Sequence, residues 1–312
     1  MTNLAARAEV VKLARELHTA PEDLAFLLDS DPVAIRRVRQ SMHHSLDARY
    51  RPMFQRVARV SALVPDRLSI TIAIRFFGPM LCGMIASSLS PARATALIGH
   101  IPRDFLADVA AYVDPEAATP IVRAFDTDIL VPVMQDLLHR KDFVTLARFL
   151  VAATDEQLLG VLPHIESGED LLMVGFNAEL DTVSDRFELV LGSLPEHRVR
   201  DLLQAAHDLD RFTEALTFLQ FLTPETLGRV ADIAAEMGPD LLTHMVDATR
   251  RELSWAELIP VAAAMSPQNG QRFLDLEIWD ADALTAMAEE IERSGHWPEM
   301  LKAVNEKRET LG

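Results

Sequence analysis

Apolar positions recur at the spacing of an α-helix along almost the whole chain. The series begins with Val10 and Leu13 and closes with Leu301 and Val304. Residues three and four apart lie on one side of a helix, so this period predicts helices that each bury one face. The Asn-Gly pair at 269–270 lies inside a helical pattern, and no alternating runs that would indicate hairpin strands flank it. The sequence therefore predicts an all-α fold.

A residue that can cap a helix stands directly before proline at several places in the chain. The side-chain oxygen of Ser, Thr or Asp accepts a hydrogen bond from an unpaired amide at the start of a helix. Proline fits the first helical position because its missing N–H would have no partner there. We therefore predict that a helix starts at each of the pairs Asp31-Pro32, Ser90-Pro91, Asp114-Pro115, Thr223-Pro224 and Ser266-Pro267.

An aromatic residue is followed eleven positions later by a hydroxyl residue in Phe143–Thr154, Phe212–Thr223 and Trp255–Ser266. Apolar residues follow each aromatic at matching positions, so one face of each helix pair needs a neighbour to cover it. Candidate helix starts also recur every 40 to 43 residues, about the length of two antiparallel helices. This interval predicts stacked helical hairpins that form a right-handed α-solenoid. An irregular globular helical bundle is the alternative.

Charge separates the chain into two regions. The net charge of the protein is −17, but residues 1–100 carry +5 and residues 101–312 carry −22. The basic excess concentrates between Arg36 and Arg75, where nine arginines face only two aspartates. We therefore predict a basic helical N-terminal region over 1–89 and an acidic helical-repeat region over 90–312, or both as one continuous superhelix. Such a charge reversal favours a partner-binding surface.

Residues 89–142 suggest a family. The run Leu89-Ser90-Pro91-Ala92-Arg93-Ala94-Thr95-Ala96-Leu97-Ile98 continues through Ile101-Pro102 to Asp114-Pro115-Glu116-Ala117-Ala118. It resembles the "L-x-P-E-x-A-x-x-L…L-P…D-P-E-x-A-A" helical repeat in the cytosolic N-terminal domain of MgtE-type magnesium transporters, and a related superhelix occurs in flagellar motor switch proteins. The resemblance implies a superhelix and an intracellular regulatory or scaffold role. Ion transport is not implied, because neither a CBS-like pair nor a bundle of membrane helices follows.

Motifs of catalysis are missing from the sequence. We find no Walker loop, no G-x-S-x-G and no H-E-x-x-H. Cys82 lies in an apolar run that would raise the pKa of its thiol, so we expect a buried structural residue and not a nucleophile paired with His43 or His44. A single cysteine also favours a reducing, cytoplasmic location. We therefore expect a non-enzymatic protein that needs no cofactor.

The stretch Leu68–Leu89 is the most apolar part of the chain, and its 22 residues could span a bilayer. Arg75 near its middle and the helix-breaking Gly78-Pro79 make a span unfavourable, so we expect two short buried helices. The alternative is a cavity for an acyl chain or another apolar ligand. Its walls would be Phe76, Phe77, Met80, Met84 and Ile85.

These patterns favour a scaffold or regulator that binds the acidic surface of a protein partner. The charge-assisted contacts would come from Arg36, Arg37, Arg39, Arg49, Arg51, Arg56 and Arg59. Nucleic acid is not favoured because the acidic remainder would repel phosphates, although a helix-turn-helix-like segment at 13–24 leaves a DNA-associated regulator as an alternative. A small-ligand or ion sensor is another alternative, in which a divalent cation would bind Glu166, Glu169 and Asp170.

Overall fold

The computed structural model describes residues 4–17, 19–61, 63–178 and 180–311. Helices occupy most of these residues and no strand occurs among them, so the all-α prediction is confirmed. A π-helical turn, Ala73–Phe77, joins the third α-helix to the fourth. The α-helices are α1 Leu4–Glu16, α2 Pro32–Ser61, α3 Asp66–Ile72, α4 Gly78–Ala86, α5 Pro91–Ile98, α6 Arg103–Ala110, α7 Pro115–Val122, α8 Thr127–His139, α9 Phe143–Phe149, α10 Asp155–Val161, α11 Gly168–Asn177, α12 Leu180–Ser193, α13 Glu196–Asp208, α14 Phe212–Leu219, α15 Pro224–Glu236, α16 Pro239–Glu252, α17 Trp255–Ala264, α18 Pro267–Leu274, α19 Ala281–Ser294 and α20 Pro298–Leu311.

The helix starts predicted from the capping pairs are confirmed. Helices α2, α5, α7, α15 and α18 each begin at the proline of one pair. Ser90 and Thr223 accept a hydrogen bond from the amide three residues further on, and Asp114 accepts from the amides two and three residues on. These bonds satisfy amides that the first turn of a helix leaves without a partner.

The described residues divide into two compact units. The N-terminal unit takes the chain up to Ile165 together with Asn177–Thr182, and the C-terminal unit takes Glu166–Phe176 and the chain from Val183. The division falls near residue 166, whereas the charge reversal predicted a boundary at 89–90. Packing explains the difference: α2 contacts α4, α3 contacts α5 and α4 contacts α6, so the basic region shares a unit with the helices that follow it.

Within each unit, a helix repeatedly packs against the helix two places further along the chain. In the N-terminal unit these pairs are α4 with α6, α5 with α7 and α6 with α8. In the C-terminal unit they are α13 with α15, α14 with α16, α15 with α17 and α17 with α19. A row of helical hairpins produces contacts of this kind, because each hairpin buries its apolar face on the next one.

The aromatic residues of the three intervals are buried, with Phe143, Phe212 and Trp255 exposed by 9%, 1% and 6%. In each interval the next helix begins directly after the hydroxyl residue, and Thr154 and Thr223 cap that helix with their side chains. The interval therefore spans a helix and the turn that leads to the next helix, as predicted.

Polar side chains connect successive helix pairs. Gln157 Nε2 donates to Val122 O at 2.8 Å, and the Thr223 amide donates to Glu188 Oε2, also at 2.8 Å. Such bonds join four residue pairs that are 35 apart in the chain: Arg148 and Val113, Gln157 and Val122, Thr223 and Glu188, and Arg229 and Leu194. One helix pair thus supplies partners for backbone groups at the ends of the neighbouring helices.

Candidate functional site

Two of the arginines predicted to bind a partner are held inside the N-terminal unit. Arg36 Nε donates to Glu9 Oε1 at 3.2 Å, and Arg39 Nε donates to Glu9 Oε2 at 3.4 Å. Glu9, on α1, is only 1% exposed, and Arg39 is 5% exposed. A carboxylate this deeply buried requires charged partners. Arg36 and Arg39 therefore hold α2 against α1, and the buried Arg39 is not displayed on the surface.

The other predicted arginines do not form one patch. Arg37, Arg56 and Arg59 are exposed, whereas the side chains of Arg49 and Arg51 lie outside the described residues. On a helix that rises 1.5 Å per residue, Arg37 is about 28 Å from Arg56. Arg56 and Arg59 are neighbours on the last turns of α2. Among the described members of the predicted set, only these two lie close together at that end of α2.

The apolar stretch departs most from its sequence prediction. By length and composition, Asp66–Ala86 could cross a membrane, and only 11% of its most apolar window is buried. The helix breaks at Gly78, where φ is +70°. The predicted break is therefore confirmed, but the prediction of two buried helices is wrong.

The side chains predicted to line a ligand cavity face outward in part. Phe76, Met80 and Phe77 are 72%, 51% and 37% exposed, whereas Met84 and Ile85 are partly buried. The five side chains consequently do not form a closed wall, and the expectation of core packing is wrong for the first three.

The reason for this exposure is that α4 is held to α6 only further along. A Cβ on Gly83 would lie 2.9 Å from Val109 O of α6 and 2.7 Å from Cβ of Tyr112 in the turn that follows α6, so α4 approaches the end of α6 closely there. The π-helical turn that precedes α4 is not covered in this way. A charged residue inside an otherwise uncharged run, Arg75, was the sequence signal that this stretch does not belong to the core.

Exposed apolar and arginine side chains lie together along this part of the N-terminal unit. They come from the end of α2, from α3, from the π-helical turn and from the start of α4, and α2 contacts α4. We call this set the arginine–apolar surface. Its members are Arg56, Arg59, Val60, Leu63, Arg67, Leu68, Ile74, Arg75, Phe76, Phe77, Met80 and Leu81.

The charge of the arginine–apolar surface is positive. Asp66 is the acidic residue that the sequence supplies between residues 48 and 92. Its carboxylate accepts a hydrogen bond from Arg93, whose guanidinium also donates to Ser61 O and Val64 O. Asp66 is thus engaged by a different arginine, and the surface attracts negatively charged groups.

Cys82 has the properties expected of an inert thiol. It is half-buried beside the apolar cluster around Val109, and its Sγ donates to Ala73 O at 3.6 Å. Burial raises the pKa of the Cys82 thiol to about 11. The thiol is therefore protonated near neutral pH and is a poor nucleophile. The side chains of His43 and His44, its candidate partners, lie outside the described residues.

The carboxylates proposed as cation ligands are not gathered into a site. Glu166 is exposed, and Glu169 and Asp170 lie in the first turn of α11. Across the described part of the chain, no three His, Cys, Asp or Glu side chains come together as a metal site. Further along the acidic segment, Glu188 instead accepts hydrogen bonds from the Thr223 and Thr226 hydroxyls.

The C-terminal unit contains a cluster of titratable groups around Asp210. Its carboxylate accepts hydrogen bonds from Arg251, at 2.6 and 2.8 Å, and interacts with His244 Nε2 at 2.9 Å. The hydrogen bonds from Arg251, followed by that from His244, hold the pKa of Asp210 well below its usual range. The His207 ring meets the His244 ring edge to face, with centroids 4.6 Å apart. A carboxylate engaged in this way is a poor general base, so the cluster connects α16 to the turn before α14.

Comparison of the chain with protein-family models, with curated proteins and with solved structures finds no match. The resemblance of residues 89–142 to the MgtE-type N-terminal domain therefore stays a prediction. What this protein does is inferred below from the geometry of its surfaces and side chains.

Proposed function

We propose that the protein is a non-enzymatic cytoplasmic scaffold or regulator, which binds a negatively charged macromolecule through the arginine–apolar surface. One observation carries the proposal: large apolar side chains and four arginines are exposed together, and Asp66, the acidic residue between residues 48 and 92, is engaged by Arg93. Contiguous exposed apolar surface is unusual on a protein that acts alone and is typical of interaction sites. The partner is expected to combine negative charge with apolar groups.

The framework of the proposal is a right-handed superhelix of helical hairpins. It is supported by the packing of alternate helices and by the polar bonds that join residues 35 apart. Repeat proteins of this type use a rigid row of hairpins to present extended binding surfaces. The resemblance of residues 89–142 to the MgtE-type N-terminal domain leads to the same expectation.

The state of the reactive side chains supports a role without catalysis. Cys82 is held as a thiol, and its hydrogen bond goes to a backbone carbonyl. Asp210 is engaged by Arg251 and His244. A nucleophile needs an adjacent base, and a general base needs a pKa near the working pH, whereas the pKa of Asp210 is held well below its usual range. Neither group meets these requirements.

The proposal is tested by isolating the tagged full-length protein from its own cells and identifying what elutes as salt is raised. We compare it with the variant Arg56→Glu/Arg59→Glu, which reverses two charges of the arginine–apolar surface. The matched control is Arg103→Glu/Arg308→Glu, because both of these arginines are exposed and the change in net charge is the same.

We expect one macromolecule, protein or lipid, to co-elute with the natural protein and the control variant. The Arg56→Glu/Arg59→Glu variant should lose most of it, since charge-assisted contacts are weakened by salt and abolished by charge reversal. Equal recovery with all three proteins would contradict the proposal. Circular dichroism of each variant shows that the helices are retained.

A further inference from the structure

The π-helical turn at the centre of the arginine–apolar surface presents large apolar side chains to solvent. Its last four residues, Ile74, Arg75, Phe76 and Phe77, are all exposed. Phe76 is the most exposed apolar residue of the turn, at 72%, whereas Ile74 and Phe77 are 38% and 37% exposed. The apolar surface that the turn offers to a partner is therefore centred on Phe76.

The chemistry of this turn points to an occupant that accepts apolar and positively charged side chains together. A helix bound in the groove of a protein partner uses one apolar face and keeps the other polar. The residues of this turn are apolar except for Arg75, and Met80 and Leu81 extend the exposed apolar area into α4. A helix that is apolar all round is typical of a buried core or of lipid. The core is excluded here by the exposure of Phe76.

We propose that this turn inserts into the surface of a lipid bilayer that carries anionic headgroups. The proposal rests on the function proposed above and names the partner of the same surface. Arginines at the edge of the inserted turn contact the headgroups while their alkyl stems lie along the apolar region. These arginines are Arg56, Arg59, Arg67 and Arg75.

Insertion is shallow for two structural reasons. Gly78, with φ at +70°, breaks the helix directly after the turn. A Cβ on Gly83 would lie 2.9 Å from Val109 O, so close an approach that α4 stays attached to α6. The turn and the start of α4 therefore enter only the outer part of the bilayer, and Arg75 stays at the depth of the headgroups.

Charge favours this orientation. The arginine–apolar surface is positive, whereas residues 101–312 carry a net charge of −22. An anionic bilayer attracts juxtamembrane arginines and repels acidic regions within about one Debye length. The negative surface potential of the bilayer therefore attracts the arginines around the turn and repels acidic side chains.

The test is co-sedimentation of the full-length protein with vesicles of phosphatidylcholine, alone or mixed with phosphatidylserine. The variant Phe76→Ser removes the most exposed apolar side chain of the turn. Phe26→Ser is a closely matched control, because Phe26 is 73% exposed and Phe76 is 72% exposed. Both substitutions are on the surface of the N-terminal unit and should leave the fold unchanged.

We expect binding to the mixed vesicles, weaker binding to phosphatidylcholine alone, and weakening by salt. Phe76→Ser should reduce the affinity for the mixed vesicles about tenfold or more, because the bilayer then no longer buries the apolar side chain of one phenylalanine. Phe26→Ser should bind like the natural protein. Absence of binding to mixed vesicles, or equal loss with both variants, would overturn the bilayer proposal.

The outcomes separate this proposal from the proposed function. One outcome is that the protein does not bind vesicles, while an acidic protein co-elutes with the natural protein and not with the Arg56→Glu/Arg59→Glu variant. In that case the bilayer is the wrong partner, but the proposed function stands. If the protein does not bind vesicles and the variant retains everything that co-elutes with the natural protein, both proposals are wrong.

Discussion

The substitution Glu9→Gln tests the conclusion that part of the predicted binding surface is internal structure. It keeps the size of the side chain and removes its charge. Glu9 Oε1 lies 3.5 Å from Lys12 Nζ and 3.2 Å from Arg36 Nε, and Oε2 lies 3.4 Å from Arg39 Nε. Glu9, Lys12 and Arg39 are 1%, 6% and 5% exposed. The variant therefore removes the charge of a buried carboxylate that Lys12, Arg36 and Arg39 all contact.

Breaking a buried ion pair by removing one partner typically costs about 3–5 kcal/mol, because the remaining charge is uncompensated. The distances around Glu9 exceed the 2.7–2.9 Å or so of strong charge-assisted bonds, so we take the lower end, about 3 kcal/mol. For a unit of this size, each kcal/mol corresponds to a fall in Tm of about 2–4 °C. The N-terminal unit should then unfold about 6–12 °C lower in the variant.

Calorimetry and urea unfolding at neutral pH measure the loss of stability. Two units can unfold in separate transitions, so hydrogen exchange of the α1 and α2 amides is needed to assign the change. The control is Arg37→Gln on an exposed position of α2, which should change stability by less than about 0.5 kcal/mol. Solvent-exposed ion pairs contribute less than about 1 kcal/mol to the free energy of unfolding. A loss that small for Glu9→Gln would therefore refute the internal role of Arg36 and Arg39.

Three further predictions concern the packing and the titratable groups. Gly83→Ala should lower the free energy of unfolding of the N-terminal unit by about 1–3 kcal/mol in urea, because the added Cβ would lie 2.7 Å from Tyr112 Cβ. The control Gly99→Ala should leave the free energy of unfolding unchanged, since no atom lies within 4 Å of the Cβ it adds. Burial raises the pKa of Glu188, but hydrogen bonds outweigh this and hold it below its usual range. The stability it contributes is therefore present above about pH 4.3 and lost as the pH falls through the lowered value, so the deficit of Glu188→Gln should shrink in acid. Alkylation of Cys82 at pH 8 should be about a hundredfold slower in the native protein than in urea, since its thiol pKa is about 11; equal rates would contradict the burial.

The positions of helix starts could be predicted because they depend on residues next to one another. A capping side chain and the proline after it act within one turn, as Ser90 and Thr223 do. The helices after Thr154, Thr223 and Ser266 likewise begin directly after the hydroxyl residue. The repeat of 40 to 43 residues stays a prediction.

Exposure and burial could not be predicted where they depend on distant partners. The sequence placed Arg39 on a binding surface, but Glu9 on another helix holds it inside. It placed Phe76 and Phe77 in the core, but both side chains are exposed to solvent, by 72% and 37%. In both cases residue type was misleading, because a charged side chain can be buried with a partner and an apolar one can remain without a neighbour.

The sequence by itself determined that this protein is all-α, where its capped helices begin and which faces of the C-terminal helices are buried. Those properties follow from backbone hydrogen bonding and side-chain period within short segments. Only the tertiary structure decided that Arg36 and Arg39 are internal and that the turn Ala73–Phe77 is external. Whether a side chain meets a counter-charge, an apolar neighbour or solvent depends on which helices come into contact, and those contacts join residues far apart in the chain.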